Sequence, residues 1–229
     1  MADAPQQADP SAGSETEIYD RRFPDAEARG RHEMWREIAA YLQRYVPRGS
    51  RILDIGAGNG EFISNIGAAE RWASDIRDTS AALPKEVRFV PAEGRSLLDV
   101  LDADYFDRVF MSNYLEHMDS SAAVIEQLSV ARQLLKPGGR AIILQPNIAL
   151  IGGAYWDFID HKVALTERSL AEAVELAGMT PVKTIKRFLP YTTKSRLPAS
   201  ALLVRAYLAF RPAWYVMGKQ TLMIAERPA

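Results

Sequence analysis

The residues best spaced for chemistry begin in "RILDIGAGNGEF" (51–62), where Asp54 is followed by Gly56, Gly58 and Gly60. An apolar, strand-like run breaks there into glycines, which let backbone come close to a ligand, and a helix start after them would favour a negative group. The dinucleotide fingerprint G-x-G-x-x-G would need its third glycine where Glu61 stands. Asp54 would also repel a pyrophosphate, but it would attract an ammonium group. Asp75 follows at the end of the next apolar run, about 20 residues past the turn, where a carboxylate can accept from ribose hydroxyls. Ribose plus an ammonium-bearing part, without pyrophosphate, describes S-adenosylmethionine. The plainer alternatives are a tight turn at the glycines and a helix cap at Asp75.

The chain has three histidines, His32, His117 and His161. His117 and His161 fall in connections that leave the carboxyl ends of expected strands, the ligand side of a doubly wound sheet. A hydroxyl acceptor benefits from a general base. His117 is the first candidate, and His161 with Asp160 the second; the alternative for both is structural, a residue that fixes its own loop. Glu116, His117, Asp160 and His161 could converge in space. There is no close H-x-x-x-H pair, however, and no metal is expected.

Several elements must position these groups. Helical spacing of Met34, Trp35, Ile38, Leu42 and Val46 predicts a first helix. Strands are expected at "RILDI", "RWASDI", "VRFVPA", "FDRVFMSN", "RAIILQP", "TPVKTIKRFL" and "KQTLMIAER". Helices are expected at Gly60–Ile66, at Ser120–Leu135 ending in the "KPGG" turn, and at Thr166–Ala177 with cap-like Thr166 and Ser169. Alternating strands and helices predict an α/β, Rossmann-like, doubly wound and mostly parallel sheet. The last two strands lack a full helix between them, which predicts an antiparallel hairpin at one edge. Residues 190–218 would be an insertion within it.

Taken in order, "LDIGAGNGEF", "SDI", "VPAE", "FDRVFMSNYLEHM" and "LLKPGGRAIILQPN" resemble the class I S-adenosylmethionine-dependent methyltransferases, from about Ile52 to Ala177. The resemblance implies S-adenosylmethionine as cofactor. It implies that Asp54, Gly56, Ala57 and Gly58 hold the methionine end and that Asp75 binds the ribose. Ala92 and Glu93 would approach the adenine, although Glu93 could equally be a solvated loop acid. Asn113 would lie beside the transferring methyl. In some relatives a segment comparable to "IYDRRF" folds over the cofactor, which here would offer Tyr19 and Arg22. The proline-rich tetrapeptide of nucleic-acid amino-methyltransferases is absent, since "SNYL" stands in its place. The two-glutamate loop of protein arginine methyltransferases is also missing.

The 229 residues are 48% hydrophobic with a formal net charge of −1, which suits a single globular domain and no nucleic-acid partner. Cysteine is absent, so disulfides, thiolate zinc sites and a cysteine nucleophile are excluded. Residues 1–17 are polar and acidic and read as a disordered tail, not a signal peptide, with the domain spanning 18–229. No apolar run reaches the roughly 18 residues of a spanning helix, and a cytoplasmic location is expected. Between Glu175 and Glu226 there is no acid, while Lys183, Lys186, Arg187, Lys194, Arg196, Arg205, Arg211 and Lys219 stand there. With the apolar run 199–210, this basic insertion fits a peripheral contact at the inner face of the membrane, a homodimer contact, or a lid. The expected activity is methylation, at oxygen, of a small-molecule, sugar or lipid-linked acceptor. A non-catalytic cofactor-binding protein and an NAD-dependent oxidoreductase are the rivals.

Overall fold

The computed structural model describes residues 28–191 and 200–229. The acidic tail, Tyr19, Arg22, Lys194 and Arg196 lie outside them. Helix α1 (Ala28–Leu42) comes first, and a 3-10 turn, Gln43–Tyr45, follows it. Strands β1 (Arg51–Ile55), β2 (Glu70–Asp75), β3 (Val87–Pro91) and β4 (Phe106–Ser112) come next, then helix α2 (Ser121–Leu134) and strand β5 (Leu135–Pro146). Short α3 (Ile148–Ile151) and α4 (Glu167–Leu176) lead to β6 (Thr180–Ile185). Helices α5 (Ala201–Ala209) and α6 (Pro212–Met217) separate it from β7 (Gln220–Glu226).

The seven strands form one sheet in the order β3-β2-β1-β4-β5-β7-β6. The pairs from β3 through β5 are parallel, whereas β7 runs antiparallel to both β5 and β6. The strand direction and the edge hairpin therefore match the expectation. Alternate side chains feed two cores. Leu53, Ile55, Val109, Met111, Ile143 and Met223 face one cluster with α2 and α4. Ile52, Phe110, Ile142, Leu144, Leu222 and Ile224 face the other, with α1, Phe62 and Trp214. Burial on both faces is what continuous apolar strands such as "RAIIL" require.

Three local expectations are corrected. Gly60–Ile66 is not a regular helix. Its backbone closes isolated turns, Ser64 N–H to Gly60 O at 3.0 Å and Ile66 N–H to Phe62 O at 3.1 Å. Neighbouring carbonyls are taken by side chains instead, Glu61 O by Asn65 and Ile63 O and Ser64 O by Arg71. "KPGG" is not a free turn after α2 but part of β5, as a bulge where the register against β4 jumps from Phe106↔Leu135 to Arg108↔Arg140. The connection after β5 holds α3 and a 3-10 turn, Gly152–Asp157, that periodicity did not reveal. Helix α4 is capped as expected: Thr166 Oγ1 accepts the Ser169 N–H and Ser169 Oγ accepts the Thr166 N–H.

The helix expected at 199–210 forms at α5, but its apolar sequence is only partly buried. Leu208 packs inward toward α1, and Tyr207 donates its hydroxyl to Phe188 O at 2.7 Å. Trp214 of α6 donates to Tyr207 O at 2.9 Å and stacks edge-on against Tyr41 and Phe188. The other faces leave Leu202, Leu203, Phe210, Tyr215 and Val216 in solvent.

Candidate functional site

The strand order reverses between β1 and β4, so the crevice at their carboxyl ends is the place for a ligand. The β1 end carries the glycine turn. Gly56 and Ala57 both donate their N–H to Ser74 O at 2.9 Å, and Gly58 donates to Asp75 Oδ2 at 2.9 Å. The chain is thereby bent over the end of β2. Gly56 and Gly58 have φ of 68° and 56°, a region costly for residues with a side chain. At Gly56 the constraint is internal: a Cβ there would lie 2.3 Å from Cδ2 of Tyr114. Ligand approach and a tight turn were the roles expected of this glycine; its contact with Tyr114, whose hydroxyl is anchored to Gln127 Oε1 at 3.1 Å, was not visible in the spacing.

Acids surround the turn. Asp54 is 3% exposed. Burial, then Glu61, then Asp75 push its carboxyl well above the usual carboxylate range, against an opposing bond from the Ile63 N–H. Glu61 pairs with Arg31 of α1 at 3.4 Å. Asp75 accepts the Arg77 N–H on Oδ1 at 3.0 Å as well as that of Gly58 on Oδ2; a carboxylate has lone pairs left for ribose hydroxyls. Crowded, desolvated acids of this kind are relieved by a bound cation, and S-adenosylmethionine brings a sulfonium and an ammonium. The residues present therefore fit that group.

The other expected contacts are more scattered. Ala92 is half-buried just past β3, but the exposed Glu93 is engaged by Arg95 Nε at 2.7 Å. Asn113 is exposed beyond β4 at φ 47°, its N–H donated to Leu144 O at 2.9 Å.

The two histidines do come together. A 3-10 turn, Leu115–His117, follows Tyr114. The loop carrying His161 docks on it, with the Lys162 and Val163 N–H groups both donating to Glu116 O at 2.8 and 3.1 Å. Lys162 Nζ reaches Asp119 Oδ1 at 2.7 Å. The imidazole rings lie 5.2 Å apart, centroid to centroid. His117 Nδ1 is 3.0 Å from Asp160 O and 3.3 Å from Asp160 Oδ2, and His161 Nδ1 is 2.8 Å from Tyr155 O. A carbonyl only accepts, so each Nδ1 carries a proton. Phe158 and Tyr155 flank His161, and Tyr191 stands edge-on to Phe158. Burial raises the Glu116 carboxyl and His117 lowers it, while Gln145 Nε2 donates to it at 3.0 Å. Gln145 and the aromatic wall went unnoticed in the sequence; a lone amide inside "AIILQP" was the available signal.

A sheet of this order, with a glycine turn after β1 and an acid closing β2, defines a Rossmann-like S-adenosylmethionine-dependent methyltransferase of class I. A family model described as a methyltransferase domain matches residues 29–184, and the chain belongs to that family, with S-adenosylmethionine as its cofactor. Among solved structures it is similar to a chain of the complex between the Haloferax volcanii Trm112 methyltransferase activator and a methyltransferase. That match has 16% identity and a TM-score of 0.65, covering 93% of this chain and 97% of that one. A SAM-dependent methyltransferase from Archaeoglobus fulgidus is 23% identical with a TM-score of 0.58, over 82% of this chain and 92% of that one. The [4+2]-cyclase SpnF shares the fold as well, at 16% identity and a TM-score of 0.58 over 86% and 81% of the two chains. No curated protein matches the sequence significantly.

Proposed function

We propose that the protein transfers the methyl group to a hydroxyl oxygen of a small-molecule, sugar or lipid-linked acceptor. The observation that carries this reading is the pair of imidazoles 5.2 Å apart, centroid to centroid, each held by its Nδ1 on a backbone carbonyl. Those carbonyls, Asp160 O and Tyr155 O, belong to the connection after β5, which fixes the two rings beside one another. Bound S-adenosylmethionine supplies a methyl on a sulfonium, which an oxygen nucleophile displaces in line. Asp54 and the backbone of Gly56, Ala57 and Gly58 hold the charged methionine end, Asp75 the ribose, and Ala92 with Glu93 the adenine edge. Asn113 borders the methyl. His117, with Asp160 behind it, takes the hydroxyl proton, and His161 is the second group able to do so. Orientation of donor and acceptor supplies much of the rate.

The insertion supports a lipid-linked acceptor. Leu202, Tyr215 and Val216 are 74%, 77% and 80% exposed beside the exposed Arg205 and Arg211, a combination suited to anionic headgroups. Among the described residues no helix is long and apolar enough to cross a membrane. The reading places the protein in the cytoplasm, against the inner face of the membrane; a homodimer through the same face is the alternative occupant.

The test is to incubate the protein with labelled S-adenosylmethionine and separated lipid, glycan and small-molecule fractions, and to locate the label by mass spectrometry. A methyl ether or ester supports the reading; a methyl on nitrogen or carbon overturns it. His117→Ala should then lose about 100-fold in turnover with cofactor affinity unchanged.

A further inference from the structure

Behind the histidine pair sits a third potential ligand that the reaction above does not use. A carboxylate oxygen of Glu116 and one ring nitrogen of each of His117 and His161 lie within 4.8 Å of one another. We infer that Glu116, His117 and His161 form a binding site for a divalent transition-metal ion, which was not expected from the sequence. The inference deepens the proposed reaction and rests on it only for what the ion would do, not for whether an ion binds.

Three features favour an ion over a merely structural cluster. First, the imidazoles are prepared as metal ligands usually are, with one ring N–H given to a backbone carbonyl so that orientation and tautomer are fixed. Asp160 O and Tyr155 O serve that purpose at 3.0 and 2.8 Å. Second, Glu116 is 1% exposed, and a carboxylate in such a place needs compensating charge. Gln145 Nε2 at 3.0 Å and the residue's own backbone N–H are neutral donors to it. Third, the ligands come from two chain segments that the fold has joined through the Lys162 and Val163 bonds to Glu116 O. The connection after β5 is thus shaped to bring His161 to the β4 loop.

Two nitrogens and one oxygen suit Zn²⁺, Mn²⁺, Fe²⁺ or Co²⁺ better than Mg²⁺ or Ca²⁺, which prefer oxygen sets. Ligand bonds of about 2.0–2.1 Å put tetrahedral neighbours about 3.4 Å apart, so closure onto an ion takes side-chain shifts on the order of 1 Å. Three protein ligands leave positions open for an acceptor oxygen. An ion there would polarise a hydroxyl and ease loss of its proton, with the histidines then acting through the ion.

The decisive measurement needs no acceptor. Protein freed of metal with a chelator is titrated calorimetrically with Zn²⁺ and with Mn²⁺, and its Co²⁺ form is examined by visible absorption. Expected are one ion per chain and Co²⁺ bands of a nitrogen-and-oxygen site. Glu116→Gln and His161→Ala should weaken binding at least tenfold, whereas His32→Ala, at an exposed helix position, should leave it unchanged. Each variant is checked for S-adenosylmethionine binding, which should persist. Should a variant fail to fold, the wild type still decides: a saturating ion raises its melting temperature if it binds the native state. Wild-type protein that binds none of these ions, or Glu116→Gln and His161→Ala proteins that bind them as tightly as wild type, overturns the site and reduces the cluster to hydrogen bonding. That result would leave methyl transfer to oxygen standing, while nitrogen labelling in the acceptor experiment would leave the metal site standing.

Discussion

The N–H of Gly58 donates to Oδ2 of Asp75 at 2.9 Å, tying the glycine turn to the end of β2. One carboxylate therefore shapes the turn, and its other oxygen holds the Arg77 N–H at 3.0 Å. Asp75→Ala should weaken S-adenosylmethionine binding tenfold to a hundredfold, since losing a charge-assisted contact costs about 1.5–3 kcal/mol. Calorimetry on the folded variant checks this. Affinity equal to wild type would remove Asp75 from the site.

At Gly58 itself, φ is 56°. Gly58→Val should lower cofactor affinity far more than Asn59→Ala, because a β-branched residue resists that backbone region. Equal affinities in two folded variants would exclude close approach of ligand to backbone at this position.

Gly56→Ala should destabilise the protein even without ligand. The backbone at φ 68° costs about 1–2 kcal/mol for a non-glycine residue, and the added Cβ meets the Tyr114 ring. Thermal unfolding should show the loss, and Tyr114→Leu in the same chain should recover part of it. A Gly56→Ala protein as stable as wild type would refute the contact.

Asp54 trades stability for function. Burial, Glu61 and Asp75 raise its carboxyl in the folded state, so ionisation is easier in the unfolded chain. The penalty is absent below the unfolded value, near the ordinary 3.8. It grows as pH rises from there toward the folded value. Asp54→Asn should thus raise the melting temperature of the ligand-free protein at neutral pH, lose that advantage near pH 3, and bind cofactor more weakly. Equal melting temperatures at neutral pH would show that the carboxylate carries no such penalty.

The α5–α6 face should bind anionic vesicles. Leu202, Leu203, Phe210, Tyr215 and Val216 supply burial that salt does not screen. Arg205 and Arg211 each add about 1 kcal/mol that it does. Co-sedimentation should rise with anionic lipid and fall, without vanishing, at high salt. Arg205→Glu with Arg211→Glu should weaken it and spare cofactor binding. Indifference to anionic vesicles at low salt would end the membrane reading. A dimer in light scattering, dissociated by Leu203→Asp, would then assign the face to a second copy.

Much of the fold was legible in the sequence because the sheet writes itself locally. Apart from Arg51, Asp54 and Arg140, runs such as "RILDI" and "RAIIL" are apolar on both faces, as strands covered on both sides must be, and Thr166 with Ser169 caps α4 through neighbours three residues apart. Gly60–Ile66 misled for the opposite reason. Its helical pattern is real, but distant Arg71 and nearby Asn65 take the carbonyls that a helix would use. The "KPGG" stretch misled likewise: Arg140 and its neighbours pair with β4 and β7, and tertiary pairing overrides the local turn signal.

By itself the sequence determined the family and the cofactor, because turn glycines and strand-ending acids act at short range and keep their spacing in any context. Tertiary structure alone decided what those residues face. It set Tyr114 against Gly56, the Gly58 N–H on Asp75, and His161 beside His117 and Glu116 across 44 residues of chain (161 less 117). It also decided that α5, apolar along nearly its whole length, buries Leu208 and leaves Leu202 in water. Such outcomes depend on which surfaces the sheet and α1 offer, and no local spacing encodes the surface that will be there to meet it.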